Sequence, residues 1–215
     1  MGLNKQTGNM YDFVTHTWNP VKGKCMHDCK YCYMKKWGNL KPIRLDENEM
    51  GTDLGNGNFI FVGSSCDMFA EDVYSAWTER ILEYCQQFSN TYLFQSKNPE
   101  RFLDYEFPEN TIFGTTIESN RDYPEISEAP KIQDRVNAMI ELHYRKERTM
   151  VTIEPVLDFD INGLVNMINL MKPEWVNLGA DSGGHKLPEP SKEKLLKLID
   201  RIEIRQKKNL KRLLK

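Results

Sequence analysis

The sequence predicts an α/β fold built from six successive β/α units. Six short apolar runs rich in β-branched and aromatic residues recur along the chain, and segments with helical apolar spacing lie between them. The runs are nearly continuous in apolar character, which is typical of parallel strands buried on both faces. At 215 residues the chain is long enough for one domain with its own core, so we expect a partial barrel or an open doubly wound sheet.

The six predicted strands are spread over most of the chain. They are YDFVTHTW from Tyr11, NFIFVG from Asn58, TYLFQS from Thr91, NTIFGTTI from Asn110, TMVTIEPV from Thr149 and EWVNLGA from Glu174. The first β/α unit is the weakest of the six, because residues 34–57 are polar and rich in Gly and Asn.

Three helices are predicted from apolar residues spaced three and four positions apart. The stripes are Val73, Trp77, Ile81, Tyr84, Cys85 and Phe88, then Val136, Met139, Ile140 and His143, then Ile161, Leu164, Val165, Ile168 and Met171. Because Cys85 lies on such a stripe, we interpret it as a core residue.

The charge of the chain is nearly balanced, except at its end. The 29 Lys and Arg residues against 31 Asp and Glu imply no general attraction to a polyanion. From Arg205 onward, however, RQKKNLKRLLK holds six basic residues in eleven and no acid. We therefore divide the chain into a domain over 1–204 and a basic C-terminal tail over 205–215, which is either a solvated helix end or a phosphate-contacting segment.

The sequence points to a cytoplasmic protein that does not enter a membrane. No apolar run approaches the roughly 18 residues needed to span a bilayer, and the polar start MGLNKQTGN does not resemble a signal peptide. Three of the five cysteines are clustered, which fits a metal site in a reducing compartment better than disulfides. We expect a monomer.

Polar residues follow the predicted strands at their C-terminal ends, where parallel α/β folds collect their chemistry. They are Gly63, Ser64, Ser65, Cys66 and Asp67, then Gln95, Ser96 and Lys97, then Thr116, Glu118, Ser119 and Asn120, then Glu154, and finally Asp181, Ser182, Gly183 and Gly184. Each serine or asparagine alone is ordinary turn chemistry. Because these polar residues follow five strands and lie at the same edge of the sheet as a cysteine cluster, they indicate a functional site.

The cysteine cluster lies in GKCMHDCKYCYMKKW, residues 23–37, and has the spacing C-x3-C-x2-C. Three thiolates this close can bind three corners of a [4Fe-4S] cubane and leave one iron open. The alternative is zinc with His27 or His16 as the fourth ligand. His27 lies between Cys25 and Cys29, where it would be cramped in the same tetrahedron, and no second C-x2-C pair follows.

The motif formed by Cys25, Cys29, Tyr31 and Cys32 resembles the signature of the radical S-adenosylmethionine superfamily. The resemblance implies that these three cysteines hold a [4Fe-4S] cluster and that S-adenosylmethionine chelates the open iron. It also implies reductive cleavage of that cofactor to a 5′-deoxyadenosyl radical. The family fold is a single-domain partial (β/α)6 barrel of the TIM type with the motif after the first strand, which agrees with the order of elements above.

Within the superfamily, short matches along about half of the chain resemble spore photoproduct lyase and its compact phage-encoded relatives. CKYCYM places Tyr31 and Tyr33 on either side of the last cluster cysteine, as in the lyase. SSCDMF places Cys66 where the lyase keeps the cysteine that returns a hydrogen atom to the product radical. The resemblance therefore makes Cys66 the catalytic thiol, with Tyr31 or Tyr33 able to repair its thiyl radical.

The same resemblance assigns cofactor-binding residues at the strand ends. LFQSKNPERFL resembles the segment whose lysine contacts the S-adenosylmethionine carboxylate, here Lys97, and TTIESNR resembles a segment that holds the ribose and methionine moieties. The complete expected set is Ser64, Ser65, Lys97, Thr116, Glu118, Ser119 and Glu154. Glu154 either caps its own loop or binds adenine or ribose.

The activity implied by the resemblance is repair of the spore photoproduct, a methylene-bridged thymine dimer in DNA. Its partners would be lesion-containing DNA and an external electron donor of the flavodoxin or ferredoxin type. Trp18, Trp37 and Tyr123 are either core or rim residues that stack on an extruded base. The alternatives are a radical enzyme acting on another base, a peptide or a metabolite, and a metal-binding module without catalysis.

The chain also departs from the lyase pattern. Compared with the lyase, it lacks a long N-terminal region and most of a C-terminal extension. In the lyase, that extension carries a substrate-contacting hairpin. Glu118 stands where the lyase pattern has an amide, and the residues after Cys66 align only with a small shift. These departures leave the radical chemistry intact and leave the substrate open.

Overall fold

The computed structural model describes residues 3–6 and 10–215, and its centre is an eight-stranded sheet. The strands in spatial order are β1 (Asn4–Lys5), β2 (His16–Trp18), β5 (Phe59–Val62), β6 (Thr91–Ser96), β7 (Thr111–Thr116), β8 (Thr149–Ile153), β9 (Trp175–Leu178) and β10 (Ile204–Gln206). Two further strands, β3 (Val21–Lys22) and β4 (Arg44–Leu45), pair in a separate antiparallel ribbon.

From β2 to β10 every neighbouring pair of strands in the large sheet is parallel, and only β1 is antiparallel. Because the strands follow chain order around the sheet, the fold is the predicted partial barrel rather than a doubly wound sheet, whose order would reverse at one point. All six predicted strands are present. The chain adds β1 and β10 at the two edges, which were not predicted.

Four α-helices connect the strands: α1 (Ser75–Cys85), α2 (Ile132–Tyr144), α3 (Ile161–Met171) and α4 (Lys192–Arg201). The prediction of a helix in the first unit was wrong, because β2 and β5 are joined through the β3–β4 ribbon and the short 3-10 segments Tyr33–Trp37 and Glu49–Gly51. The connection from β6 to β7 also uses a 3-10 segment, Pro99–Asp104. None of the described helices is long and apolar enough to cross a membrane.

Alternation along the strands produces two apolar cores. Ile60 and Val62 of β5 face the helices and join the larger core, which includes Ile81, Val136 and Leu164. Phe61 faces the opposite side of the sheet, as do the members of the smaller core, Tyr11, Val14, Phe61, Leu93, Ile112 and Met150. The segment before β2 therefore fills the bottom of the barrel interior and leaves its top open.

The basic C-terminal segment is packed onto the barrel instead of forming the solvated helix that the sequence left possible. Its first residues belong to β10, which pairs with β9. The guanidinium of Arg205 lies 4.7 Å from the ring centroid of Trp175, and Leu210 is buried in the larger core. Arg212 pairs with Glu189 and donates to the carbonyl of Asp181. Residues 205–212 therefore extend the domain.

Candidate active site

A cavity of about 780 Å³ opens at the C-terminal ends of the parallel strands. One wall is formed by residues 22–44, which we call the cysteine loop, and the other by residues just beyond β5 to β9. Strand alternation explains the second wall, because positions 95, 97, 116, 118 and 154 share the face that holds the smaller core. The polar strand ends predicted from the sequence thus converge.

Backbone hydrogen bonds and close backbone packing help to hold the cysteine loop in place. Asp46 N–H donates to the carbonyl of Pro20 at 2.8 Å and closes the base of the loop. Inside it, Gly23 has φ of +128°, and a Cβ there would lie 2.6 Å from the carbonyl oxygen of Pro42. The loop therefore requires glycine at this position, both for the backbone angle and for the close approach of the two segments.

All three cysteines of the motif line the cavity, and none forms a disulfide. Cys29 is buried, and its sulfur lies 3.1 Å from the Lys97 ammonium and 3.2 Å from the Ser127 hydroxyl. Cys25 and Cys32 are half-buried, and burial raises the pKa of Cys32. The loop thus places three thiol groups on a single wall, with a cation beside one of them.

Beside Cys29 lies a group of four polar side chains, Tyr31, Lys97, Glu118 and Arg135, which we call the buried ion cluster. Lys97 Nζ lies 2.7 Å from one Glu118 oxygen, and Arg135 donates to the other at 2.8 Å. The Tyr31 hydroxyl contacts both Lys97 and Glu118. The cluster therefore contains two cations against one carboxylate, in contact with a predicted metal ligand.

Opposing effects set the protonation of this cluster. Burial alone raises the pKa of Glu118, but Lys97 and Arg135 outweigh it and lower that pKa to about 2. Burial lowers the pKa of Lys97, but Glu118 and Cys29 reverse the effect, so its pKa is raised. Both groups are consequently charged at neutral pH. Burial together with Glu118 holds the pKa of Tyr31 far above its usual value.

A second buried pair, His27 and Asp67, connects the cysteine loop to the end of β5. His27 Nε2 lies 2.9 Å from Asp67, which also accepts hydrogen bonds from the Ser96 hydroxyl and the Lys97 backbone. Burial lowers the pKa of His27, but Asp67 outweighs it, so the pKa is raised. His27 thus anchors the loop, which argues against its alternative role as a zinc ligand.

Cys66, the predicted hydrogen-atom donor, lies at the cavity wall but is only 3% exposed, less accessible than the sequence suggested. Interaction with the neighbouring Cys66 thiol lowers the pKa of Cys25 to about 7, and the same interaction together with burial raises the pKa of Cys66. The Tyr33 hydroxyl donates to the carbonyl of Ser64 at 3.1 Å. Tyr33 therefore approaches the Cys66 segment, whereas the Tyr31 hydroxyl belongs to the buried ion cluster.

Glu154, at the end of β8, binds residues from the C-terminal segment. Lys207 Nζ lies 2.6 Å from one carboxylate oxygen, and the Asn209 amide donates to the other at 2.6 Å. A Cβ on Gly179 would lie 2.6 Å from the Glu154 carboxylate, so a side chain there would displace that carboxylate. Glu154 and Lys207 both line the cavity, opposite the cysteine loop.

The remaining expected site residues are distributed unevenly. Ser64, Ser65 and Thr116 line the cavity, whereas Glu118 and Ser119 are buried behind it. The Ser119 hydroxyl donates to the carbonyl of Asp158, so it caps the neighbouring loop. Ser64 and Ser65 both donate to the Asn19 side chain.

Of the three candidate stacking residues, only Trp37 is free to act at the rim. Trp18 is a core residue with 1% exposure, and the Tyr123 hydroxyl donates to the Asp158 carbonyl. Trp37 is 76% exposed. Cys85 is fully buried in the larger core, as predicted.

Sequence reasoning missed Arg135 and Asn19. Arg135 lies on α2, where only its position among apolar residues marks it as facing inward, because Val136 and Met139 are core residues. A charged residue flanking such a stripe is a weak signal, since most are solvated. Asn19 precedes Pro20 and resembles ordinary turn chemistry in the sequence.

The three thiols of the motif are the donor set that a cubane cluster takes, one at each of three irons. Zinc would need a fourth donor about 2.0–2.3 Å from the metal. His27, one of the two candidates for that place, is hydrogen-bonded to Asp67 instead. Within residues 3–6 and 10–215, no three His, Cys, Asp or Glu side chains converge on one point.

The fold is shared with solved structures of spore photoproduct lyase, whereas no protein-family model and no curated protein matches the chain. A cysteine-to-alanine variant with a dinucleoside spore photoproduct matches with a TM-score of 0.64 and 12% identity, covering 95% of this chain and 67% of that chain. A double variant with bound AdoMet and the dinucleoside spore photoproduct matches with a TM-score of 0.63 and 11% identity, with the same coverage of both chains.

A third structure, the lyase complexed with the dinucleoside spore photoproduct, gives a TM-score of 0.62 and 12% identity over 93% of this chain and 65% of that one. The chain thus spans about two thirds of the length of these structures. At this identity the likeness shows the fold, and it confirms the partial barrel predicted from the sequence.

Proposed function

We propose that this protein is a radical S-adenosylmethionine enzyme that repairs a methylene-bridged thymine dimer in DNA. One observation carries the proposal. In a partial barrel shared with spore photoproduct lyase, the three motif cysteines, Lys97 and Cys66 all line one cavity at the strand ends. Residues from 25 to 97 in the sequence thus meet at the edge where such folds perform chemistry.

The cysteine loop would hold the inorganic part of the cofactor. Cys25, Cys29 and Cys32 would bind three irons of a [4Fe-4S] cluster, and S-adenosylmethionine would occupy the fourth. When bound and reduced, this pair supplies a 5′-deoxyadenosyl radical, which is the difficult part of the chemistry. The ammonium of Lys97 lies 3.1 Å from the Cys29 sulfur, so it would place a positive charge beside one of the three ligands.

The residues of this chain would then bind and orient the organic cofactor. Lys97 offers a positive charge for the methionine carboxylate, and Glu118 holds that lysine in place from behind. Because Glu118 and Arg135 are buried outside the cavity, we assign Glu118 to positioning rather than to direct cofactor contact. Thr116 and Glu154 lie on the same wall, so we assign them to the ribose or adenine, and Glu154 also binds Lys207 and Asn209.

Cys66 and Tyr33 are suited to complete the reaction. The Cys66 S–H would give a hydrogen atom to the repaired thymine radical, which leaves a thiyl radical on sulfur. Tyr33, whose hydroxyl reaches the carbonyl of Ser64, is then the nearer of the two motif tyrosines to return a hydrogen atom to that sulfur. Tyr31 serves the buried ion cluster instead.

The cavity is compatible with an extruded lesion. Its volume of about 780 Å³ is in the upper part of the range for small-ligand sites, and it must hold cofactor and substrate together. A lesion inside a duplex has to leave the base stack, which costs a few kcal/mol and less where damage weakens pairing. An electron donor of the flavodoxin or ferredoxin type would reduce the enzyme, which we expect to act as a monomer.

A second candidate, a radical enzyme with another substrate, is favoured by one observation. Cys66 is 3% exposed and lies next to Cys25. Its thiol is therefore less accessible to a substrate radical than we expect for the thiol of a hydrogen-atom donor. Glu118, which stands where the lyase pattern has an amide, is a second difference between this chain and the lyase. Such an enzyme would need the three motif cysteines and Lys97, but not Cys66.

The decisive experiment uses anaerobically reconstituted protein with S-adenosylmethionine, dithionite and spore-photoproduct dinucleotide, analysed by mass spectrometry. We expect the wild type to convert the lesion to the undamaged thymidine dinucleotide. Cys66→Ala should still consume the lesion, because fragmentation precedes hydrogen return, but should yield adducts with reductant-derived species. Cys66→Ala giving clean product at the wild-type rate excludes the role of Cys66. Robust 5′-deoxyadenosine without lesion turnover by the wild type favours the second candidate.

A further inference from the structure

The cysteine loop differs in charge from the rest of the chain. Residues 22–44 contain seven Lys and Arg and a single acid, Asp28, whereas the remainder contains 22 basic and 30 acidic residues. Residues between Gly23 and Leu40 of this segment line the cavity, Lys24, Lys35 and Lys36 among them. Positive charge is therefore concentrated at the cavity mouth of a protein whose net charge is −2.

Several of these cations are not used by the fold. Lys22 bridges Asp46 and Glu49, and Lys35 pairs with Asp28, so these lysines support the loop itself. The side chains of four other cations are exposed and form no ion pair within the part of the chain that the structure describes. They are Lys30, Lys36, Lys41 and Arg44. Unneutralised ammonium groups on one short segment make it an electrostatic site for a polyanion.

An exposed aromatic residue lies among these lysines. Trp37 is 76% exposed and directly follows Lys36, which lines the cavity. Tyr33, in the same 3-10 segment, is 51% exposed. Aromatic faces beside unpaired cations are the combination that binds single nucleic-acid strands, because bases stack on the rings while phosphates contact the cations.

The C-terminal segment, the other basic part of the chain, is less available. Arg205 stacks on Trp175, Lys207 binds Glu154, and Arg212 pairs with Glu189. Three of its six cations are thereby engaged inside the protein. The cysteine loop is consequently a stronger candidate for phosphate contacts than the C-terminal segment.

We propose that the cysteine loop is a docking surface for a nucleic-acid strand, in which Lys30, Lys36 and Lys41 bind phosphates and Trp37 stacks on a base. The proposal deepens the function given above and rests on it, since the strand would deliver an extruded base to the adjacent cavity. An anionic bilayer fits less well. Lys36 lines a concave opening and Trp37 directly follows it, and a strand can enter such an opening with one base whereas a flat membrane cannot.

The test measures binding of a fluorescein-labelled oligothymidylate to reconstituted full-length protein by anisotropy at several salt concentrations. Replacing Lys30, Lys36 and Lys41 together by Ala should reduce the slope of log K against log salt by about 2, since each single-strand phosphate contact contributes about 0.7. The matched control replaces Lys208, Lys211 and Lys215, which are also exposed, and should leave the slope unchanged.

Stacking is tested with a second matched pair. Trp37→Ala should weaken binding by roughly 5- to 150-fold and leave the salt slope unchanged, because stacking is not ionic. Tyr144→Ala should have no effect, although Tyr144 on α2 is equally exposed at 76%. A triple Lys→Arg variant of the loop should keep the slope and would show that charge, not loop folding, is responsible.

Three results would overturn the proposal. They are an unchanged slope in the loop triple variant, an equal loss of slope in the control triple variant, and wild-type binding to phosphatidylserine vesicles without binding to the oligonucleotide. Cofactor cleavage by the wild type, assayed without nucleic acid, tests the proposed function separately. Its absence would count against that function while the binding result stands.

Discussion

The two walls of the cavity carry the site's chemistry in contrasting ways. The cysteine loop has two-residue strands and one 3-10 segment, its side chains are mostly half-buried or exposed, and backbone hydrogen bonds hold it together with the side chains of His27 and Tyr31. The opposite wall ends in the buried ion cluster, where Lys97, Glu118 and Arg135 satisfy one another. The first wall is suited to be completed by a cofactor, whereas the second is preorganised by the protein.

The difference implies that substitutions in the two walls should fail in different ways. A loop cysteine contributes little to the apolar cores, so its loss should remove the cofactor and spare the fold. A member of the buried ion cluster leaves a charge uncompensated inside the protein, so its loss should damage the fold itself. The following predictions test this distinction, beginning with the largest effect.

Cys32→Ala should abolish cluster binding completely. Cys32 lines the cavity and belongs to neither apolar core, so the unfolding free energy of the apoprotein should stay within about 0.5 kcal/mol of the wild type. Iron and sulfide analysis after anaerobic reconstitution, with thermal unfolding of the apoprotein, measures both quantities.

Cys85→Ala is the control with the opposite expectation. It should keep the cluster and lose about 1–2 kcal/mol of stability, because Cys85 is fully buried in the larger core. Stoichiometric iron in Cys32→Ala, or stoichiometric zinc in place of iron in the wild type, would contradict the assignment of the motif.

Glu118→Gln should lower the unfolding free energy of the apoprotein by about 3 kcal/mol, because Lys97 and Arg135 would remain buried without a carboxylate. The matched variant is Glu154→Gln at the neighbouring strand end. Its ion pair with Lys207 is partly exposed, so we expect a loss of about 1 kcal/mol. Urea unfolding compares the two variants. Equal losses of unfolding free energy would show that the buried ion cluster contributes no more to stability than the Glu154–Lys207 pair.

The smallest predicted effect is the loss of folding stability at acidic pH through protonation of Glu118. The pKa of Glu118 is lowered to about 2, below its usual value of 4.5, so its charge stabilises the folded state above pH 4.5 and that contribution is lost as pH falls toward 2. Between pH 7 and pH 4 the wild type should lose about 1 kcal/mol more than Glu118→Gln. Parallel pH dependence of the two proteins would mean that Glu118 does not carry this charge.

Particular residues show how far the sequence leads. Strand order, the cysteine motif and the positions of Lys97, Thr116 and Glu154 on one rim follow from local patterns, and the structure bears out this placement. Alternation along each strand is enough to predict which side chains share a face. The helix of the first unit was predicted wrongly, because a polar loop rich in Gly and Asn carries no periodic signal.

Long-range contacts decided the rest. Arg135 reaches Glu118 from α2, and Tyr31 reaches the same carboxylate from the cysteine loop across 87 positions. Nothing in either local sequence marks these meetings. The basic C-terminal segment resembles a solvated end in the sequence, yet Lys207 and Arg212 find carboxylates only after the barrel is formed.

The sequence by itself therefore determined the parallel barrel and the rim where the cysteine motif and the polar strand ends meet, because these depend on period, spacing and strand direction. Tertiary structure alone decided that Glu118 faces two cations behind the cavity, that Tyr33 rather than Tyr31 approaches Cys66, and that the free positive charge lies on the cysteine loop. The reason is physical: pairing of charges and burial of polar groups depend on distances between segments far apart in the chain, which local patterns do not contain.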